Sequence, residues 1–258
     1  MADIDVSKLS ITQFDKITCF NNANELEFVM DEIQEGAINQ TQDKSDITGR
    51  GGRKIGSLKK NKAVTITATN GVLVGGALAA QTGSDIEQGS FKVRMTEVVA
   101  VNDNKATLTG TPVGTTGAEI GYAYITNPSG SLGKQYEQAA DAQTEGKFSF
   151  TGKDLTFHDG DIENGTEVTV FYDAEVTAAQ ITNQSDVYSK VLKMFIDVTC
   201  QDTCDNMYHG QFIINRADFS GEFELSVGSD PMVHAIEAES LAGGCNKDGS
   251  LWKFIIYK

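Results

Sequence analysis

Apolar and polar side chains alternate most regularly between positions 211 and 241 of the chain. The apolar positions that share one parity near the centre of this stretch are Phe219, Phe223, Leu225 and Val227. Such alternation predicts a β-strand with one buried face, and it places Glu222 and Glu224 on the opposite, solvent-facing side. Turn residues at 228–231 then lead into a second extended run at 232–241, which is predicted to be an antiparallel partner. Alternation returns at 251–257 and predicts a third strand.

Shorter runs of the same kind cover most of the remaining chain. Strands are predicted at residues 11–20 and 25–33 as one hairpin, at 91–101 and 105–109 as another, and at 63–69, 147–157, 167–176 and 187–200. Two short helices are predicted, one at 72–81 from its alanine-rich run and one at 136–144. These elements predict a mainly β protein, and the length allows a single domain over residues 1–258.

Residues 36–62 break the pattern, because they are rich in glycine and poor in apolar side chains. The six basic residues between positions 49 and 62, where no acidic residue occurs, are Arg50, Arg53, Lys54, Lys59, Lys60 and Lys62. They predict a basic, Gly-rich loop arm. One interpretation is a solvated surface loop. The other is an arm that docks on the acidic face of an identical neighbouring subunit, where opposite charge favours association.

Residues 110–146 form the longest stretch without clear periodicity. Two of the three prolines, Pro112 and Pro128, lie there among several glycines. A short strand is predicted at 122–126, and otherwise we expect an irregular insertion. Irregular regions of this length in a compact domain are usually functional or mobile.

Charge narrows the range of functions. The formal net charge is −15, and removing the six basic residues of the predicted arm leaves −21 on the remainder. Nucleic-acid binding requires basic side chains that neutralise phosphates, so general DNA affinity is not expected. An acidic surface serves either solubility or a channel that must not retain DNA. No apolar run is long enough for a membrane helix, and the N-terminus predicts no secretory signal, which together indicate a cytoplasmic protein.

Catalytic and metal-binding patterns are weak. Cys200 and Cys204 form a C-x3-C pair without a second close pair, so Cys200 is interpreted first as a small core residue. The three histidines lie in separate segments, and the carboxylate pairs at 222 with 224 and at 237 with 239 look like exposed strand positions. We therefore predict no catalytic residues, no metal site and no cofactor. A carbohydrate-binding β module is a better rival than an enzyme.

Two stretches carry a family resemblance. DITGRGGRKIGSLKKNKAVTITATNG followed by VGGALAAQTG resembles structural proteins of tailed bacteriophages, and ADFSGEFELSVGSDPMVHAIEAESLA is similar to the C-terminal part of siphophage major tail tube proteins. The resemblance implies an antiparallel β-sandwich or barrel with one or two short helices and long loop arms. It also implies hexameric rings that stack into a tail tube through which DNA passes, in contact with other tail proteins. The protein would then be assembled in the host cytoplasm and reside in the virion.

The resemblance and the charge pattern together give candidate residues for assembly. The candidate inter-subunit contacts are Arg50, Arg53, Lys54, Lys59 and Lys60, and the candidate lumen-facing residues are Glu222 and Glu224. DNA is expected to pass without specific binding, and no membrane partner is expected. Two alternatives stay open: a capsid decoration or other virion structural protein, and a β-sandwich ligand-binding module.

Overall fold

The structure, a computed structural model, describes residues 8–225, 232–243 and 249–257. In chain order its elements are β1 (Leu9–Phe20), β2 (Leu26–Met30), β3 (Ile33–Thr48), β4 (Lys54–Asn70), α1 (Gly75–Thr82), β5 (Ile86–Ala100), β6 (Lys105–Thr107), β7 (Tyr122–Thr126), β8 (Leu132–Gln138), β9 (Lys147–Thr151), β10 (Asp154–Phe157), β11 (Glu167–Ile181), β12 (Val191–Asp202), β13 (Met207–Phe219), β14 (His234–Ser240) and β15 (Lys253–Tyr257). The prediction of a mainly β fold with a short helix is confirmed.

Contacts along the chain divide it into two compact units. Unit 1 comprises Met1–Ile86 and Ile181–Lys258, and unit 2 comprises Glu87–Gln180. The sequence predicts one domain over residues 1–258, whereas in the structure each unit has a sheet and a hydrophobic core that can be described separately.

Unit 1 is built on an eight-stranded sheet. Its order is β2-β1-β12-β13-β14-β4-β3, and β15 also pairs with β13. Every pairing in the sheet is antiparallel. The sheet curls until the Phe14 ring of β1 lies over Gly36 of β3, where the Cβ atom of any larger residue would lie 2.2 Å from the ring. Glycine at position 36 therefore permits this close approach.

The core of unit 1 follows directly from alternation in the sequence. In β12, the side chains of Leu192, Met194, Ile196, Val198 and Cys200 are all buried. The intervening side chains are only partly buried, as expected for a strand with one core face. The interpretation of Cys200 as a core residue is confirmed.

Helix α1 packs closely on β2 and is tied to β14. Its Gly76 lies so near β2 that an added Cβ atom would be 2.7 Å from both the Phe28 Cβ and the Glu27 carbonyl oxygen. The buried His234 ring accepts a hydrogen bond from the Val74 backbone N–H at Nδ1, over 3.3 Å. Its Nε2 lies 2.8 Å from the Gln81 Oε1, so this nitrogen carries the proton and the ring is neutral. The Gln81 amide in turn donates to the Ala235 carbonyl at 3.1 Å.

Unit 2 is built on a seven-stranded sheet in the order β5-β11-β7-β8-β9-β10-β6. One of its pairings, β8 with β9, is parallel. The core includes Tyr136, Phe148 and Leu155, whose side chains are fully buried. Within the segment 110–146, which the sequence predicts to be irregular, only β7 and β8 belong to this mixed sheet, and most of the remaining residues are turns and loops.

A carboxylate on β5 ties several segments of unit 2 together. Glu97 accepts hydrogen bonds from the backbone N–H groups of Thr109, at 2.8 Å, and Gly110, at 3.0 Å. The Tyr172 hydroxyl donates to the same carboxylate. Partial burial opposes ionisation of Glu97, but these donors outweigh it and hold the pKa of Glu97 below its ordinary value. Burial and the neighbouring carboxylate raise the pKa of Tyr172 to about 12.

Several sequence predictions are confirmed. The hairpin near the N-terminus forms from β1 and β2, and the predicted helix at 72–81 is α1 at Gly75–Thr82. The strands predicted at 63–69, 122–126, 147–157, 167–176 and 187–200 correspond to parts of β4, β7, β9 with β10, β11 and β12. The strands predicted near the C-terminus at 232–241 and 251–257 correspond to β14 and β15.

Four predictions are wrong, each for a local reason. Residues 36–62 are not a loop but the greater part of the β3–β4 hairpin, whose strands contain too few apolar residues to show alternation. Residues 136–144 form no helix; β8 occupies their start, and pairing with β7 overrides helix propensity. The predicted hairpin at 91–109 does not form, because β5 lies beside β11 and β6 pairs with β10. The strand predicted over 219–227 ends at Phe219, so residues 220–225 are irregular, and positions 226 and 227 fall outside the described residues.

Candidate assembly surfaces

The arm, residues 36–62, is a long two-stranded hairpin with a glycine-rich tip. Pairing of β3 with β4 continues from Ile33 and Asn70 to Thr48 and Lys54, whereas β14 covers β4 only from Thr65 to Asn70. The part of the arm beyond β14 spans roughly nine residues per strand, which corresponds to about 30 Å. At the tip, Gly51 and Gly52 have φ values of 76° and 75°, which only glycine adopts readily.

No residue is buried in the fully described span 39–62. An isolated two-stranded hairpin is marginally stable in water, because neither face packs on a core. Local polar contacts support the arm: Lys54 forms an ion pair with Asp46 at 2.5 Å, and the Asn61 side chain donates to Asp43 at 2.7 Å. The arm therefore holds its shape mainly through backbone pairing and these contacts, and it presents both faces to a partner.

The predicted basic contact residues do not gather on one face of the arm. Residues opposite each other in an antiparallel pair share a face, so Lys60 lies with Asp43, while Lys59 lies with Lys44 on the other side. Arg50 and Arg53 occupy the tip, and Lys54 is already paired with Asp46. Basic side chains therefore lie on both faces and at the tip of the distal arm. Counting seven basic and two acidic residues, the arm carries +5, which leaves −20 on the rest of the chain.

Three large apolar side chains also lie exposed on the arm. Ile47, Ile55 and Leu58 have 49%, 62% and 58% of their surface exposed. Ile47 is opposite Gly56, and Leu58 is two positions further along the same face, so these two side chains are diagonal neighbours. Ile55 lies near the tip, beside Gly49. Exposed apolar residues grouped in this way are typical of a surface that a partner covers.

Strand edges provide a second candidate surface in unit 1. In the described chain, β3 has no strand on its outer edge, and β4 has none opposite β3 over residues 54–64. Strand β2 forms the other end of the sheet and is likewise unpaired on its outer side within the described residues. Unpaired backbone N–H and C=O groups along such edges can pair with a strand of another chain.

Glu222 and Glu224 are exposed, although not on a strand. They follow the end of β13 and line a shallow cleft with Thr67 and Glu237. The Ser220 backbone N–H donates to the Glu237 carbonyl at 2.8 Å, which holds this segment beside β14. Phe223 and Leu225 are 38% and 43% exposed, so of the predicted core positions in this run that the structure describes only Phe219 is buried. The structure therefore brings both glutamates beside a further carboxylate on the solvent face of β14.

The cysteines give no evidence of a metal site in the part of the chain that the structure describes. Cys200 points into the core of unit 1, while Cys204 lies in the exposed turn after β12. Burial raises the pKa of the Cys200 thiol, which disfavours the thiolate that metal binding requires. Within residues 8–225, 232–243 and 249–257, no three His, Cys, Asp or Glu side chains are grouped so as to hold an ion. Cys245 lies outside the described residues.

Comparison with protein-family models gives a match over nearly the whole chain. The YomU/Tube protein family model matches residues 10–252, which include the arm, all of unit 2 and most of unit 1. The chain belongs to the YomU/Tube protein family. A search of curated proteins finds no match. The family name points to a structural protein of a phage tail tube, in agreement with the resemblance noted in the sequence. No helix in the described residues is long and apolar enough to span a membrane.

The exposed apolar side chains of the arm in this YomU/Tube family protein are not identified from the sequence as contact candidates. Ile47, Ile55 and Leu58 are separated in sequence by charged and glycine residues, so they do not form a recognisable pattern. Pairing of β3 with β4 brings Ile47 and Leu58 together. Their positions relative to the glycine-rich turn at 49–53 are the sequence signal that could locate them, because the turn fixes the register of a hairpin.

Proposed function

We propose that this chain is the major tail tube subunit of a siphophage and that it assembles with copies of itself into hexameric rings. The rings stack into a tube through which DNA passes. The match to the YomU/Tube family over residues 10–252 carries this proposal. The protein then acts in the tail of the virion, after assembly in the host cytoplasm, and its partners are further copies and other tail proteins.

The arm is the element that best suits contact between copies. It carries +5 on a chain whose remainder carries −20, so its attraction to the body of another copy is favourable. Arg50, Arg53, Lys54, Lys59 and Lys60 supply this attraction. Because Lys59 and Lys60 lie on opposite faces, the charge guides the arm into place without selecting one face.

The exposed apolar side chains of the arm add binding free energy on contact, beyond the attraction between opposite charges. Burial of apolar surface contributes about 25 cal/mol per Å², so covering Ile47, Ile55 and Leu58 favours binding by several kcal/mol before entropy losses. Ile47 and Leu58 lie on one face, and that face is therefore the one that packs against the neighbouring copy. The free edges of β2 and β3 add backbone pairing between copies within a ring.

The acidic surface near β14 suits the inside of a channel. Glu222, Glu224 and Glu237 line one cleft, and repulsion between these carboxylates and phosphates prevents DNA from binding as it passes. This assignment gives the two candidate lumen residues a common position beside β4 and β14. DNA passage without specific binding agrees with the net charge of −15.

Charge reversal on the arm tests this function. In the double variant Lys59→Glu and Lys60→Glu we expect a folded protein that forms few or no tubes in negative-stain images, because the charge of the arm falls from +5 to +1 and most of its attraction to the acidic body is lost. The matched control reverses Lys92 and Lys105, which lie in unit 2 and change the net charge by the same amount. Tubes from the arm variant at wild-type yield contradict the proposed role of the basic residues.

A further inference from the structure

The chain passes from unit 1 into unit 2 at residue 87 and returns to unit 1 at residue 181, and these two connections lie side by side. The Ser84 hydroxyl, just before β5, donates to the Thr182 carbonyl, just after β11, over 2.5 Å. Gly75 lies close to the residues at both connections. A Cβ atom added to it would be 3.6 Å from the Ile86 side chain and 4.0 Å from the Ile181 side chain. Strands β5 and β11 are also neighbours in one sheet. The chain therefore enters and leaves unit 2 through a single two-stranded stem.

Each unit has a hydrophobic core of its own. The core of unit 2 contains only residues from 95–174, and that of unit 1 contains only residues before 86 or after 181, as far as the described residues show. The two sheets likewise share no strand within the described chain. A segment of this length exceeds the roughly 50 residues that suffice for an independently folding domain.

The candidate assembly elements all belong to unit 1. The arm, the free edges of β2 and β3, and the cleft lined by Glu222 and Glu224 lie within residues 1–86 or 181–258. Unit 2 contributes to none of them. An insertion that joins its host at one stem is also the arrangement in which domain insertions are tolerated, because the host can close without the inserted chain.

We infer that residues 87–180 are an inserted domain that folds around its own core, and that copies of the chain assemble through the surfaces of unit 1 alone. The first half of this inference depends only on the fold. The second half rests on the proposed function, because it presupposes assembly into a tube. Two experiments on the full chain separate the halves.

Calorimetry of a matched pair of core variants tests independent folding. Leu155→Ala removes a fully buried side chain from unit 2, and Leu192→Ala removes a buried one from unit 1. We expect two unfolding transitions in the wild type, with each variant lowering one of them by roughly 10 °C and leaving the other unchanged. A single transition, or equal shifts of both transitions by either variant, overturns the inference.

Site-specific attachment of a bulky polymer tests the assignment of assembly to unit 1. In a chain with Cys204→Ser and Cys245→Ser, the remaining cysteines, Cys19 and Cys200, are buried. A maleimide-linked polyethylene glycol is then attached at Ser129→Cys in an exposed turn of unit 2, or at Ser57→Cys on the arm. We expect tubes from the first conjugate and none from the second.

Loss of tubes from the Ser129→Cys conjugate overturns the second half of the inference. The unlabelled protein is measured alongside both conjugates. If it forms no tubes, the proposed function fails, while the calorimetric result still decides whether unit 2 folds independently.

Discussion

At the scale of single residues, the buried His234 links the helix of unit 1 to its sheet. Its two ring nitrogens bond to the Val74 backbone and to the Gln81 side chain, and burial lowers the pKa of His234 below its ordinary value of 6.5. In the unfolded chain the His234 imidazole is therefore protonated as the pH falls through about 6.5, whereas in the folded chain it is protonated only at a lower pH. Stability contributed by the neutral ring is present above pH 6.5 and falls as the pH decreases towards the lower folded pKa.

Replacement of His234 removes this pH dependence. We expect His234→Gln to be about 1–3 kcal/mol less stable than the wild type at pH 8, because buried donors and acceptors lose their partner. The difference in the free energy of unfolding between wild type and variant should shrink between pH 7 and pH 5. Protonation of His234 in the unfolded chain destabilises only the wild type, because glutamine does not titrate. Urea unfolding across this range measures it, and His209→Gln, at an exposed position, is the matched control. A difference that does not vary with pH contradicts the assignment.

Glu97 gives a pH dependence in a lower window. Its folded pKa is held below the ordinary value of 4.5 by hydrogen bonds that outweigh burial, so its contribution is present above pH 4.5 and is lost as the pH falls through the folded pKa. We expect Glu97→Gln to lower the free energy of unfolding by about 2 kcal/mol at pH 7, with less effect near pH 3. Chemical unfolding of this variant and of Glu87→Gln, an exposed position on the same strand, provides the comparison. Equal destabilisation at both pH values would count against the charged network.

At the scale of elements, the arm combines two kinds of surface. Charge surrounds its distal half, whereas the large apolar side chains include a diagonal pair on one face, Ile47 with Leu58. Charge acts over about 10 Å at moderate ionic strength and so speeds the encounter, while apolar burial acts only on contact. The two sets of residues are therefore expected to affect assembly in different ways.

Polar substitution of the apolar pair tests its role in contact. We expect Ile47→Ser with Leu58→Ser to abolish tubes at all salt concentrations while changing monomer stability by less than about 0.5 kcal/mol per site, because both side chains are exposed. The control, Val93→Ser with Val98→Ser, alters two exposed apolar residues on β5 and should assemble normally. Sedimentation of assembled material, followed by negative staining, measures the outcome. Wild-type tube yield from the arm variant would show that its apolar face is not an interface.

At the scale of the whole molecule, the sequence predicts those strands in which apolar and polar side chains alternate. The buried face of β12 and the strands β14 and β15 follow from period-two patterns, because one side of each strand faces a core. Alternation fails for the arm, because neither face of residues 39–62 is buried within the chain and most side chains on both faces are polar. It also fails after Phe219, where Phe223 and Leu225 have the expected parity but lie in an irregular segment and are exposed.

Long-range pairing is the other property that local patterns do not determine. Strands β5 and β6 are adjacent in the chain, yet they lie at opposite ends of the sheet of unit 2. Strands β5 and β11 are neighbours in that sheet, although most of unit 2 separates them along the chain. The sequence also shows which arm residues are basic, but their distribution over two faces of a hairpin requires the register of β3 with β4.

The central claim is that this chain assembles with itself into a tube, and electron microscopy of the purified wild-type protein tests it most directly. Concentrated protein at moderate salt should show six-fold rings in end views and stacked, tubular particles with a central channel in side views. Single copies or small closed oligomers at every concentration and ionic strength tested would contradict the claim.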